Sequence, residues 1–451
     1  MTKRSTHEEK TLIVGLGKTG LSCARYLSSQ GVSLAVTDSR KHPPEREMLQ
    51  QLFPDLALFV GGFQPEVFQA ADHLVVSPGI PLSEPLIQAA KAKGAEILGD
   101  IELFARAVKA PVAAITGSNG KSTVTTLLGE MARMAGVKVA VGGNLGEPAL
   151  DLLDESVELY VLELSSFQLE RTWSLQSKAA VVLNLSADHM DRYADIEAYA
   201  AVKASIYSGA QTAVINRDDP MVAVMAGKAP SVIGFTLAEP EGEDFGLLAR
   251  DGATWLARGE TPLLDVEELR IKGHHNLANA LAALALGSAL ELPMNAMLTA
   301  LRTFAGLPHR TQWVAEKQGL QWYNDSKGTN VGATIAALRG LHSARDDSRT
   351  LLIAGGECKG ADFTELASVA EATTRAVILI GRDAPLLESV LQGGCRLLHA
   401  ASLEDAVSKA VQYGRPGDRV LLSPACASFD MIKNFEARGD AFVRAVEALP
   451  E

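Results

Sequence analysis

The chain has 451 residues, 47% hydrophobic and only 5% aromatic, with a formal net charge of -12. Such a length predicts about three domains, with cores of Ala, Val, Leu and Ile that suit buried strands under covering helices. The negative balance, with no Lys/Arg-rich block or basic amphipathic helix, argues against nucleic acid or an anionic membrane as partner; a local cationic pocket for a phosphorylated ligand stays open. The N-terminus, MTKRSTHEEK, runs into a strand with no apolar signal core. The most apolar long stretch, Leu277–Leu290, is too short to span a membrane. A cytoplasmic protein without membrane insertion is the expectation, and a monomer. Cys23, Cys358, Cys395 and Cys426 show neither CxxC nor zinc-ligand spacing and read as free, mostly buried thiols.

The first segment, residues 1–98, opens with an apolar strand, Thr11–Val14. The turn Gly15-Leu16-Gly17-Lys18-Thr19-Gly20 follows, then a helix to about Gln30 and a strand, Ser33–Thr37, ending at Asp38. This is a β-α-β unit. GxGxxG in that position lets the backbone approach a phosphate at the helix N-terminus, and Asp38 stands where an acidic residue takes a ribose hydroxyl. The pattern fits a nicotinamide enzyme, but no hydride-acceptor site appears elsewhere, so another nucleotide remains open. A further strand, Leu74–Val76, ends in Ser77-Pro78-Gly79.

The second segment, residues 99–306, begins its β-α unit at Pro111. The strand Val112–Ile115 enters the loop Thr116-Gly117-Ser118-Asn119-Gly120-Lys121, and a helix starts at Ser122. Backbone N–H groups of such a loop cradle phosphates, a lysine reaches the β/γ oxygens and a hydroxyl holds Mg²⁺. The loop is a TGxxGK[ST] variant, since Ile115 stands where the full pattern has glycine. Further strands are expected at Val137–Val141, Leu159–Leu164, Ala179–Leu185 and Thr212–Ile215, a small antiparallel insertion over about 231–270, and a helix from Asn276. Glu163 closes one strand and His189 follows another, at ends that line the ligand crevice of a parallel sheet. Glu163 suits Mg²⁺; His189 alone reads as a structural histidine and Lys203 alone as a solvated helix lysine.

The third segment, residues 307–451, has strands expected at Leu351–Ala354, Ala376–Ile380 and Val420–Leu422, and a final helix after Met431. Alternating strands and helices throughout predict α/β architecture with mainly parallel sheets.

Eight motifs carry a resemblance: ITGSNGKST (115–123), GGNLG (142–146), LELSSFQL (162–169), LNLSADHMDRY (183–193), GHHNLANALAA (273–283), GLPHR (306–310), NDSKGTN (324–330) and LLSPACASFDMIKNFEARG (421–439). Together they resemble the Mur ligase family, and HMDRY with SPACAS-x-D and KNFEARG resembles its D-glutamate-adding branch. The resemblance implies three domains: Rossmann-like N-terminal, central P-loop ATPase-like with a parallel sheet, and Rossmann-like C-terminal. It implies an ATP-dependent ligase that activates the carboxylate of UDP-N-acetylmuramoyl-L-alanine as an acyl phosphate and joins it to D-glutamate in peptidoglycan precursor synthesis. ATP and two Mg²⁺ ions are the implied cofactors.

By motif, Gly117, Ser118, Asn119, Gly120, Lys121, Ser122 and Thr123 face ATP, with Asn276 on the adenine side and Arg310 and Asp325 nearby. Ser122 and Glu163 hold the first Mg²⁺; His189 and a carbamoylated Lys203 serve the second. Lys327 and Thr329 face the phosphate and incoming amino acid, and Lys359, Ser428 and Phe435 form the D-glutamate pocket. Lys18, Thr19, Asp38, Ser39, Arg40 and Ser77-Pro78-Gly79 match UDP-binding turns, and Asn144 contacts the peptide substrate. The third domain is expected to swing about Gly306–Pro308. The chain departs from the family pattern at Cys358, where glycine is expected, at Gln312, where glutamate is usual, and in a His189–Lys203 loop one residue short. The rival readings are another Mur-type or folylpolyglutamate-type ligase and an NAD-dependent oxidoreductase.

Overall fold

The computed structural model describes residues 9–227, 229–271, 273–342, 347–358, 361–428 and 432–450. Three sheets follow one another along the chain. The first is entirely parallel, with the order Ala57–Val60, Ser33–Asp38, Lys10–Val14, His73–Val76, Glu96–Leu98. Its order reverses between Lys10–Val14 and His73–Val76, so the Gly15–Gly20 turn and the Ser77–Gly79 turn face each other at the sheet's C-terminal edge. In open α/β sheets that crevice binds ligands. Ala57–Val60 and Glu96–Leu98 escaped the sequence reading because they are short, half-exposed edge strands without a run of buried apolar residues.

The second sheet has nine strands. Val139–Gly143, Leu159–Glu163, Val112–Thr116, Ala179–Val182, Thr212–Asn216 and Ser231–Phe235 are successive parallel neighbours. Phe245–Arg250, Ala253–Arg258 and Thr261–Asp265 extend the same sheet as a meander. The expected insertion over 231–270 is therefore corrected: Ser231–Phe235 is parallel to both its neighbours, Thr212–Asn216 and Phe245–Arg250, and only the two pairings among the three strands after it are antiparallel. The helix His274–Ala289 is buried on nearly every side because it packs on the sheet and also against the helices Lys121–Met134, Met294–Thr303 and Val331–Leu341. That explains its all-round apolar sequence.

The third sheet runs Gln312–Lys317, Leu320–Asn324, Arg419–Leu422, Thr350–Gly355, Thr374–Ile380, Leu397–His399; its first pair is antiparallel and the rest are parallel. It is covered by apolar clusters on both faces. The first two sheets share a continuous core instead. Leu103 and Phe104 of the helix Asp100–Ala107 join Ile13 and Leu21 on one side to Tyr160 and Leu162 on the other. Phe104 meets Tyr160 edge-on with ring centroids 5.2 Å apart. Among the described residues no helix is long and apolar enough to cross a membrane.

Candidate active site

The loop 117–120 leaves the central strand Val112–Thr116 and delivers the N-terminus of the helix Lys121–Met134, where backbone N–H groups and the helix dipole favour an anion. Two glycines are required here. Gly120 caps the helix at φ 83°, and a Cβ on it would collide with the Asn279 amide oxygen; Gly117 has φ 150° and lies against Leu183. The segment after Ala179–Val182 braces the loop: Ser118 N donates to Asn184 O (2.9 Å), Asn119 N to Asn184 Oδ1 (2.8 Å) and Ser118 Oγ to Ser186 O (3.0 Å).

Around the helix start, Ser122 Oγ donates to Glu163 Oε2 at 2.6 Å and Asn144 Nδ2 to Glu163 Oε1 at 2.7 Å. Arg310, from the third segment, donates Nη2 to Ser122 Oγ at 2.6 Å. Burial alone would raise the Glu163 carboxyl, but the Lys121 charge and the Ser122 and Asn144 hydrogen bonds hold it below its ordinary value. Lys121 is lowered by burial and turns its ammonium back on the loop, donating to Gly117 O and Ser118 O at 2.8 and 3.0 Å.

Lys203 is not the solvated helix lysine that its position alone implied. It is 1% exposed, and its Nζ donates to Thr116 Oγ1 at 3.2 Å and Gly117 O at 3.1 Å, 4.7 Å from the Tyr199 ring centre. Burial, reinforced by the Lys121 charge, pushes its amine well below the ordinary lysine value. His189 adopts φ 58°, packs at a tilt against Phe167 with ring centroids 4.7 Å apart and is lowered by burial.

A cavity of about 320 Å³ opens beside the loop. Asn119, Gly120, Thr123, Asn276, Arg310, Asp325 and Lys327 line it, all but Lys327 among the residues expected at ATP and drawn from two segments. Its walls also include Phe235 and His275, which motif reading left out because an aromatic at a strand end and a histidine in an apolar helix have bland explanations. Burial raises the Asp325 carboxyl to about 6, against hydrogen bonds from Ser423 Oγ (2.7 Å) and Thr311 N (2.9 Å). Burial and the Arg310 charge lower Lys327 to about 8, and its ammonium sits 3.8 Å from the Phe435 ring centre. His309 and Thr311, either side of Arg310, both occupy the left-handed region (φ 61° and 46°), backbone strain of the kind found at functional sites. Gln312, the departure from the family pattern, accepts the His309 N–H at 3.0 Å through Oε1.

Ser428 is buried and Thr329 exposed; Lys359 lies outside the described residues. At the first sheet, Lys18, Ser39 and Arg40 are exposed around the switch-point crevice. Asp38 presents no free carboxylate there: its oxygens take the Leu16 N–H (2.7 Å), the Arg40 N–H (2.8 Å) and the Arg40 guanidinium. Ser77 Oγ donates to Gly15 O at 2.8 Å, tying the two turns together. Arg192, within a recognised motif but given no role, donates to Pro78 O at 3.1 Å, pairs with Glu170 at 2.6 Å and lies 4.1 Å from the Phe167 ring centre. It links the first crevice to the phosphate-loop side.

Three family profiles match in succession: the Mur ligase MurD-like N-terminal domain over residues 9–99, the Mur ligase middle domain over 115–287 and the Mur ligase glutamate ligase domain over 309–426. The UDP-N-acetylmuramoylalanine–D-glutamate ligase of Nitrosococcus oceani is 56% identical over 97% of this chain and 96% of its own length. The enzymes of the same name from Pseudomonas fluorescens and Pseudomonas aeruginosa are 52% and 51% identical, each over 97% of this chain and 98% of its own length. Among solved structures, the UDP-N-acetylmuramate–alanine ligase of Thermotoga maritima superposes with a TM-score of 0.62 at 17% identity, covering 97% of this chain and 99% of that one. A pseudomurein peptide ligase from Methanothermus fervidus gives 0.60 at 20% identity over 97% and 99%. A phosphate loop braced as described, a third-segment arginine on its serine, and three profiles in order along one chain place this protein in the Mur ligase family.

Proposed function

We infer that this chain uses ATP to join D-glutamate to the terminal carboxylate of UDP-N-acetylmuramoyl-L-alanine, the activity for which its 50–56% identical relatives are named. The observation that carries the reading is the meeting of the Ser122–Glu163 pair with Arg310, from two segments, next to the Lys121 charge and beside a cavity that Arg310 lines. A carboxylate is a poor electrophile because oxide is its leaving group. Here a carboxylate oxygen attacks the γ-phosphorus and ADP departs. The D-glutamate amine then attacks the acyl phosphate, and the tetrahedral intermediate expels phosphate to leave the amide. Phosphoryl transfer between anions depends on positioned positive charge, which Lys121, Arg310 and Lys327 supply.

Magnesium, when bound, neutralises phosphate charge and orients the transferring group. Ser122 and Glu163 fit one such ion, being a hydroxyl and an ionised carboxylate 2.6 Å apart. A second ion at His189 and Lys203 requires that Lys203 change its chemistry, since an amine that donates to Thr116 and Gly117 is no ligand for a hard cation. The neutral amine is the form of a lysine that adds CO₂ to become a carbamate with carboxylate-like oxygens, and burial at Lys203 shifts the amine toward that form. We read residues 1–98 as the UDP-substrate domain, 99–306 as the ATP domain and 307–451 as the amino-acid domain, with Thr329, Lys359, Ser428 and Phe435 around D-glutamate. Phosphate release in the presence of ATP, UDP-N-acetylmuramoyl-L-alanine and D-glutamate tests this function. Release that is equal with L-glutamate, or independent of the UDP substrate, would overturn it.

A further inference from the structure

Cys358 and Cys426 are far apart in sequence (68 residues) yet bring their sulfur atoms to 2.8 Å, with both side chains buried. The backbone explains the meeting. Glu357 and Ala427 form an isolated antiparallel bridge, each N–H donating to the other's carbonyl at 3.0 Å. The residues one step beyond, Cys358 and Cys426, therefore face each other in the adjoining non-hydrogen-bonded position. Opposed residues in that register have Cα atoms about 4.5 Å apart, within the roughly 4.4–6.8 Å that a disulfide spans. Each strand of the bridge is anchored: Gly355 N donates to Pro424 O (2.8 Å), Cys358 N to Asp383 Oδ2 (2.9 Å), and Arg438 Nη1 to Cys426 O (3.2 Å). The bond therefore needs the sulfurs to approach by about 0.75 Å, from 2.8 Å to a bonded separation of about 2.05 Å.

We propose that Cys358 and Cys426 form an oxidisable dithiol site, which a low-molecular-weight disulfide converts to an intramolecular disulfide that disturbs the amino-acid end of the active site. One protein thiol, as thiolate, attacks the reagent's S–S bond and releases one reagent thiol, leaving a mixed disulfide. The second protein sulfur attacks the first, the S–S bond between Cys358 and Cys426 forms, and the second reagent thiol departs. The two cysteines lose two protons and two electrons, and the reagent disulfide gains them as two thiols. Burial makes the reaction wait on opening of the single bridge, because the reagent must reach a sulfur.

The consequence for the site rests on the functional reading above. Ser428 lies two residues after Cys426, and Lys359 follows Cys358 in the chain. Ala425 N donates to Gly328 O at 2.8 Å, in the turn that carries Lys327. A sub-ångström pull on these two loops is felt where reacting groups must be held closely. The other cysteines cannot substitute: Cys23 is buried between the first two sheets, and Cys395 lies against Leu391 O.

The test incubates the full chain with oxidised glutathione, then maps peptides by mass spectrometry and measures the three substrate KM values. Expected are a loss of two hydrogens, one cross-linked peptide pair holding Cys358 and Cys426, reversal by dithiothreitol, and no such pair in Cys358→Ser or Cys426→Ser. Cys23→Ser, which leaves the pair intact, should still give it. Oxidation should raise the KM for D-glutamate about threefold to tenfold, and change those for ATP and the UDP substrate less. Free thiols at both positions after incubation, or glutathione adducts that never resolve to the pair, would overturn the site. A disulfide with D-glutamate KM unchanged would overturn its coupling to the pocket. Failure of the ligase reading is distinguishable, because it would show as absence of D-glutamate-dependent turnover in the reduced protein.

Discussion

Arg310→Ala should impair turnover yet tighten the binding of a divalent cation to the nucleotide-free protein. Arg310 Nη2 lies 2.6 Å from Ser122 Oγ, and that same oxygen is the candidate metal ligand beside Glu163. An ion can take the serine oxygen only after the guanidinium has let go. A hydrogen bond to a charged group is worth about 1.5–3 kcal/mol, and about 1.4 kcal/mol is a factor of ten. Removing the competitor should therefore raise Mn²⁺ or Mg²⁺ affinity by about 10- to 100-fold. In the proposed reaction the same guanidinium would face charge developing on the transferring phosphoryl group, and loss of one such donor costs about 10²–10³ in kcat. Arg310→Lys keeps the charge without the planar fork and should fall between the two. Calorimetric titration of Mn²⁺ into nucleotide-free protein measures the first effect and phosphate release the second. A folded Arg310→Ala protein that binds Mn²⁺ no better than its parent, or that turns over normally, would refute the argument.

Lys203→Ala should be inactive and partly restored by acetate, which supplies the missing oxygen; no rescue, with density ending at a bare amine in a crystal of the parent, would remove the carbamate. Lys327 bears on pH. Its value is lowered from 10.5 to about 8, so the folded chain binds fewer protons than the unfolded one between those values, and its contribution to stability rises with pH across that window. Activity that needs the cation should instead fall above about pH 8, and Lys327→Arg should move that limb upward in a kcat/KM profile. Ser428→Ala should raise the KM for D-glutamate about tenfold through loss of one charge-assisted contact, with little change for the UDP substrate. Tyr207→Phe should destabilise the chain by about 1–3 kcal/mol in urea titration, because the buried hydroxyl accepts from Val182 N (2.9 Å) and donates to Val214 O (2.8 Å), leaving both unpaired.

Much of the fold was legible because buried parallel strands are written as short apolar runs and phosphate turns as glycines. Val112–Thr116 and its loop could be read directly, since backbone geometry demands glycine at 117 and 120. Ser231–Phe235 was assigned to the wrong kind of pairing because its outer half is exposed and parallel partnership is a long-range fact. Lys203 shows the limit of local reading. Its helix has an Asp195 cap and an ordinary sequence, and only tertiary packing against Thr116 and Gly117 makes that lysine buried and lowered. The paired thiols of Cys358 and Cys426 were invisible for the same reason, as residues distant in sequence meet through one bridge.

The cations gathered around the phosphate loop are each held by a partner within the protein. Clustered cations repel one another, and a buried charge without a partner is costly. Here each acquires an internal acceptor. Lys121 returns to Gly117 and Ser118 carbonyls, Lys203 to Thr116 and Gly117, Arg310 to Ser122, and Lys327 to the face of Phe435. Three of these contacts engage the very loop that would wrap the nucleotide. ATP binding is then an exchange of partners, in which phosphate oxygens replace carbonyls and a hydroxyl, so the net gain is smaller than the charges alone would give. Because Arg310 and Lys327 belong to the third sheet's segment and Lys121 to the second's, that exchange also couples nucleotide occupancy to the contact between the two. Other ties across that contact include Asn330 Nδ2 to Asn119 Oδ1 at 3.2 Å and to Asp188 Oδ2 at 3.3 Å, and a His275 hydrogen bond to the Ala336 backbone. The Asn330–Asn119 bond, neutral at both ends, is weaker than a charged one, so loss of Arg310 should loosen the contact more than loss of that amide pair.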